Sequence, residues 1–197
     1  MSDSQHFSPM QQLKRSLYAM RNGIVADSLR RSGCPYRLIF GVSLPQMVDI
    51  ARQFAPDADM AETLWRDDSL RESNLIAAML FPADALSIDR ARALVANNVR
   101  WSEDADILCF KLLKFTDFAP QLAAELVADD APLQRYTGLR LYMNIVSRCP
   151  TDAAAAAAAE LARPYPISAL ANMLADEADF LLNPDSLNDS IDDTKIS

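Results

Sequence analysis

Hydrophobic residues recur along this chain at the three- and four-residue spacing of an α-helix. Leu13, Leu17 and Met20 follow Ser8-Pro9 in this way, which predicts a first helix with Ser8 as its N-cap. A second apolar stripe follows Ser43-Leu44-Pro45, and its members are Met47, Ile50, Ala51 and Phe54. The pattern therefore predicts helices from the start of the chain.

From residue 57 onward the pattern predicts pairs of helices joined by short turns. The pairs cover residues 57–82, 87–115, 117–150 and 151–183, and Ser87 and Ser102 stand where N-caps are expected. A unit of about 35 to 40 residues is the period of a helical solenoid, in which stacked pairs bury one another's apolar faces. We expect an all-α solenoid, with an irregular helical bundle as the alternative.

Length and composition favour one folded domain followed by an acidic tail. The chain has 197 residues, of which 50% are hydrophobic and only four are glycine. This content supports a single domain over residues 1–183. Residues 184–197 are rich in Asp, Asn and Ser, and we expect them to be poorly ordered.

Several classes of function lack their sequence signals. No apolar run approaches the ~20 residues of a membrane span and the chain shows no signal peptide, so we expect a cytoplasmic protein without membrane contact. Cys34, Cys109 and Cys149 are far apart and His6 is the only histidine, which argues against a metal site or a histidine-dependent nucleophile. The glycines form no phosphate-binding loop.

Charge is distributed unevenly along the chain. The net charge is −8, yet residues 1–55 contain seven Lys or Arg and three Asp, a local balance of +4. Arg30, Arg31 and Arg37 are the phosphate-contact candidates in this basic part, although a solvated basic helix face would have the same composition.

The stretch "VRWSEDADILC", residues 99–109, has two interpretations. Ser102 is an acceptable N-cap, and acidic residues in the first turns would interact favourably with the helix dipole. Alternatively, Trp101 and Asp106 belong to a binding pocket. Capping alone accounts for the carboxylates but leaves the tryptophan unexplained.

Four stretches together resemble the HEAT-like-repeat DNA alkylation repair family, whose glycosylases remove alkylated purines. They are "YRLIFGVSLPQMVDIARQF", "AETLWRDDSLRESNLIAAMLFP", the residue 99–109 stretch and "LQRYTGL". The resemblance runs from about Met20 to Ser147, and it depends on the order and spacing of the motifs. It implies a superhelix of HEAT-like pairs.

The resemblance also implies a basic concave surface for double-stranded DNA, a tryptophan-lined pocket and a carboxylate near the damaged nucleotide. Departure of a cationic base builds positive charge on the sugar, which aromatic faces and a carboxylate can stabilise. No metal or organic cofactor is implied. Asp106 matches the family carboxylate, Trp101 matches the outer of two adjacent tryptophans, and Ser102 replaces the inner one. Arg135 in "LQRYTGL" matches a family arginine.

Two functions remain open after this comparison. The first is a DNA-binding protein of the alkylation repair type, with Asp106 and Trp101 as catalytic candidates if an N-glycosylase activity is retained. Its DNA-contacting candidates are Arg135, Arg140, Arg100, Arg30, Arg31 and Arg37. The second is a non-catalytic repeat scaffold that binds a protein partner on its concave face. A single positive stripe on that face, which would include Arg71, Arg100, Arg135, Arg140 and Arg148, would favour DNA.

Overall fold

The computed structural model describes residues 7–184, and within them the chain is built from helices. The α-helices are α1 Pro9–Ala19, α2 Gly23–Arg31, α3 Leu44–Ala51, α4 Ala58–Arg66, α5 Arg71–Leu80, α6 Ile88–Asn98, α7 Ser102–Lys111, α8 Ala119–Val127, α9 Pro132–Ile145, α10 Pro150–Leu161 and α11 Ser168–Leu182. The described residues contain no β-strand, only an isolated bridge between Leu38 and Leu70. The predicted all-α class is confirmed.

Helix starts follow local capping chemistry at most of the predicted places. Ser8 and Gln11 bond reciprocally across the first turn of α1, and the Ser87 hydroxyl accepts a hydrogen bond from the Arg90 N–H at the start of α6. Asn22 caps α2 by accepting hydrogen bonds from the Ile24 and Val25 N–H groups.

The described chain divides into two compact units, the first ending at Leu112 and the second beginning at Leu113. In the first unit α5 is the central helix, because α3, α4 and α7 all pack against it. Nine of its ten residues are buried, and these include the polar side chains of Arg71, Glu72, Ser73 and Asn74. A helix buried on all sides with charged residues must pair those charges internally.

In the second unit, the helices pack as the pairs α8/α9 and α10/α11. Small residues allow the close approach within these pairs. A Cβ added to Gly138 of α9 would lie 2.7 Å from the backbone nitrogen of Val127, so α9 reaches α8 only because this position lacks a side chain. The alanine-rich α10 buries Ala153, Ala156 and Ala157.

The predicted helical pairs 57–82, 117–150 and 151–183 are each found as adjacent, packed helices. The segment 87–115 also forms two helices, α6 and α7, but α7 packs against α5. A single domain over residues 1–183 stays a prediction. His6 and residues 185–197 lie outside the described part of the chain.

Candidate nucleic-acid interface

The stretch from Arg100 to Asp106 begins α7, but its cap differs from the predicted one. Trp101 is the N-cap residue and Ser102 is the first residue of the helix, so the prediction that Ser102 is the cap is wrong. The carboxylate of Asp104 bonds back to the residues before the helix, since its Oδ2 accepts hydrogen bonds from the backbone N–H groups of Arg100 at 2.9 Å and Trp101 at 3.2 Å. The acidic residue at the third helical position therefore satisfies the N–H group of the N-cap residue, as the third residue of a capping box does.

Asp104 is a buried carboxylate, 3% exposed, with a distant partner in the sequence. The Tyr36 hydroxyl donates a hydrogen bond of 3.0 Å to its Oδ1 atom. Burial raises the pKa of Asp104, while its hydrogen bonds oppose that change. Burial and the neighbouring carboxylate also raise the pKa of Tyr36, which keeps the phenol protonated as the donor.

The Tyr36–Asp104 bond joins the segment after α2 to the start of α7. Arg100 completes this junction, because its guanidinium lies over the Tyr36 ring, 5.4 Å from the centroid, and forms an ion pair of 3.7 Å with Asp68. Side chains that are far apart in sequence therefore meet beside Trp101. We call these residues, Tyr36, Arg100, Trp101 and Asp104, the junction.

The candidate catalytic residues lie at this junction and on the helix that starts there. Trp101 and Asp106 are both half-buried. The indole Nε1 of Trp101 is buried and has no hydrogen-bond partner among residues 7–184. A buried N–H without an acceptor is uncommon in proteins and is satisfied when a ligand or water brings one.

An ionic network centred on the buried Arg71 connects α5 to Glu103, which is in the first turn of α7. The guanidinium of Arg71, 3% exposed, binds Glu103 through Nε at 2.7 Å and Glu72 through Nη1 at 2.8 Å. Glu72 also accepts hydrogen bonds from the backbone N–H groups of residues 40, 41 and 42 at 2.9–3.3 Å. We call this arrangement of Glu72 and residues 40–42 the loop clamp. Because Arg71 is paired with Glu72 and Glu103, it contributes no free cation to a DNA surface.

The predicted phosphate contacts near α2 are exposed. Arg30, Arg31 and Arg37 all face solvent, and Arg30 pairs with Asp27 at 2.9 Å. Arg31 and Arg37 have no carboxylate partner within residues 7–184. Arg37 is the next residue in the chain after Tyr36 of the junction.

The arginines of the second unit that were predicted to contact DNA are less exposed than those near α2. Arg135 is 5% exposed and its Nε donates to Glu160 at 3.0 Å, while Glu160 also forms an ion pair of 3.4 Å with Arg163 and accepts a hydrogen bond from the backbone N–H of Ile167. Arg135 is thus part of the core of that unit. Arg140 is half-buried on α9. Arg71 and Arg135 are each buried and each paired with glutamates of their own unit. The predicted positive stripe therefore loses two of its members.

Sequence reasoning missed the two side chains that organise the junction. Tyr36 is the first residue of a stretch that resembles the family, and the sequence suggests no role for it. Asp104 is one of three acidic residues explained by the helix dipole. The acid at the third helical position was a usable signal for a reversed cap. Nothing in the spacing indicates a bond between residues separated by 68 positions.

The raised pKa of Asp104 gives a pH dependence that can be measured. Its folded pKa lies above the unfolded value of 3.8, so the folded state binds this proton more tightly. We expect wild type to gain stability relative to Asp104→Asn as the pH falls through the folded pKa, and the gain to be complete below the unfolded value. Urea unfolding of both proteins across this range measures the difference. A loss of relative stability on acidification would show that the N–H donors outweigh burial.

No helix within residues 7–184 is both long and apolar enough to cross a membrane. Among the same residues, no group of three or more His, Cys, Asp or Glu side chains is placed to hold a metal ion.

Comparison with known proteins assigns the family. No curated protein and no solved structure matches the chain significantly. The family model described as DNA alkylation repair enzyme matches residues 13–181, which spans both units and includes every residue of the junction. The chain therefore belongs to the DNA alkylation repair enzyme family.

Proposed function

We propose that this protein binds double-stranded DNA through the junction and the exposed arginines beside it, in the service of alkylation repair. The observation that carries the proposal is the position of Arg31 and Arg37. Both are exposed without a carboxylate partner in the described chain, and Arg37 adjoins the residue that packs against the start of α7. Cations that are not neutralised by the protein are the ones that can release counterions from a phosphate backbone.

Binding to a duplex oligonucleotide tests this surface. We expect Arg31→Gln combined with Arg37→Gln to weaken binding several-fold and to reduce the slope of log affinity against log salt by about one per lost phosphate contact. Fluorescence anisotropy over a salt series measures both quantities. Arg52→Gln combined with Arg92→Gln is the matched control, because it also removes two positive charges but from arginines that already pair with Asp49 and Asp89. No duplex binding at low salt, or equal losses in the control, would contradict the proposal.

We further propose that any N-glycosylase activity uses Asp106 with Trp101. The resemblance to the family places its carboxylate at Asp106, whereas Asp104 holds the junction together by accepting hydrogen bonds from Tyr36, Arg100 and Trp101. Asp106 is half-buried and lies two residues further along the helix. A carboxylate at this place could stabilise the charge that develops on the sugar as a cationic base leaves.

Release of methylated purines from treated DNA tests the chemical step. We expect Asp106→Asn to lower the release rate by at least about tenfold while duplex binding is retained, because the charge matters mainly in the transition state. Trp101→Phe serves as the companion variant, since it keeps an aromatic face and removes the indole N–H. Release that persists in Asp106→Asn would assign the reaction to another group, and no release by wild type would refute the catalytic proposal.

One observation favours a protein partner as a second candidate function. The second unit exposes Tyr165, Met173 and Phe180, which are 89%, 53% and 51% exposed. Large apolar side chains on a surface are a common feature of protein interfaces. Retention of duplex binding by a Met173→Ser, Phe180→Ser variant would separate this surface from the DNA site.

A further inference from the structure

A groove of about 880 Å³ lies in the first unit, outside the junction. One wall is α1, and the other is formed by Leu38, Phe40 and the turn that contains Asp67 and Leu70. The hydrogen bonds of Leu38 with Ser69 and Arg71 hold these two chain segments side by side. The groove is therefore a built concavity of the size that binds small ligands or single nucleotides.

Its apolar surface presents an aromatic ring to solvent. Tyr18 is 55% exposed, and Phe40 meets it edge to face with the ring centroids 5.9 Å apart. Leu38 is 44% exposed in the same groove. This contact with Phe40 orients the tyrosine, and the guanidinium of Arg21 lies over one face of its ring, so a planar group entering the groove meets a surface that is both aromatic and cationic.

Cations surround this apolar surface with few carboxylates to neutralise them. Lys14 and Arg15 line the groove, and the guanidinium of Arg21 lies 3.3 Å from the Tyr18 ring centroid. Lys14 has only a long ion pair of 3.8 Å with Asp67, and residues 4–26 contain no acidic residue. Within the described chain, Arg15 and Arg21 contact aromatic rings and have no carboxylate partner.

We propose that this groove binds a short run of single-stranded DNA. Exposed aromatic and apolar side chains accept the faces of unstacked bases, and the cations of α1 accept the phosphates. Duplex DNA hides its base faces in the stack, so an aromatic surface of this kind selects an unpaired strand. The choice of DNA as the polyanion rests on the proposed function, whereas the groove and its residues are separate from the junction.

Anisotropy of a labelled oligothymidylate of about a dozen nucleotides tests the groove in the full chain. We expect binding at low salt, a loss of about 5- to 50-fold in Tyr18→Ala, and near wild-type affinity in Tyr18→Phe, because stacking needs the ring and not the hydroxyl. Lys14→Gln combined with Arg15→Gln is expected to lower both the affinity and the salt slope. Arg52→Gln combined with Arg92→Gln is the charge-matched control, because these arginines lie outside the groove and already pair with Asp49 and Asp89.

The outcomes separate this inference from the proposed function. Absence of oligothymidylate binding at low salt would overturn the inference, as would equal affinity in wild type and Tyr18→Ala when circular dichroism shows both folded. Loss of duplex binding in Tyr18→Ala by the same factor would make the groove part of the duplex surface and would also overturn it. Oligothymidylate binding without duplex binding would support the groove while refuting the junction proposal.

Discussion

Replacing Gly41 with alanine is expected to destabilise the first unit by about 2 to 5 kcal/mol. Gly41 has φ +74°, and a Cβ there would lie 2.2 Å from the backbone oxygen of Asn22 and 2.7 Å from the backbone nitrogen of Ala26. Both contacts are with backbone at the start of α2, which cannot rotate away as a side chain can. Denaturant unfolding followed by circular dichroism measures the loss.

Gly33 provides the matched control for this substitution. It has φ +85°, but a Cβ there meets nothing within 4 Å. Gly33→Ala therefore contains the backbone strain without the clash, and we expect a loss of about 1 to 2 kcal/mol. If the two alanine variants unfold at the same denaturant concentration, close packing of residue 41 against α2 is not what fixes this glycine.

Replacing Glu72 with glutamine is expected to cost about 3 to 5 kcal/mol of unfolding free energy. Glu72 is fully buried and accepts hydrogen bonds from the N–H groups of residues 40–42 and from Arg71. Glutamine removes the charge that balances Arg71 and points an N–H₂ group at donors. Thermal and urea unfolding of the full chain measure the effect.

Glu62→Gln is the comparison for Glu72→Gln. Glu62 also pairs with an arginine, Arg90 at 2.7 Å, but the two side chains are 28% and 33% exposed. Water screens such a pair, so its loss is expected to cost less than about 1 kcal/mol. Similar losses in the two glutamine variants would mean that the loop clamp adds little beyond an ordinary ion pair.

The sequence predicted the parts of this fold that depend on neighbours along the chain. Ser8-Pro9, Ser43 and Ser87 stand at helix starts because a cap and its N–H donors lie within a few residues. Ser102 looked equivalent, but it is the first residue of α7, and Asp104 accepts hydrogen bonds from the N–H groups of Arg100 and Trp101 before it. Local rules predict that a helix begins here, without deciding at which residue it begins.

The candidate site was predictable only in part, because much of it depends on contacts between residues that are far apart along the chain. The resemblance directed attention to Trp101 and Asp106, and the charge pattern directed it to Arg30, Arg31 and Arg37. The charge pattern could not show that Arg135 is buried against Glu160, which lies 25 residues away, while Arg31 is exposed. Whether a charged side chain is buried is decided by tertiary packing, and neither composition nor residue spacing predicts it.

The loop clamp has a consequence for the motions of the first unit. Amide protons in a loop usually exchange with solvent through small local openings. The N–H groups of residues 40–42 are instead held by one carboxylate on α5, a helix that is buried on nearly every side. Their exchange therefore requires α5 to separate from the loop, so these amides report on the opening of the whole unit.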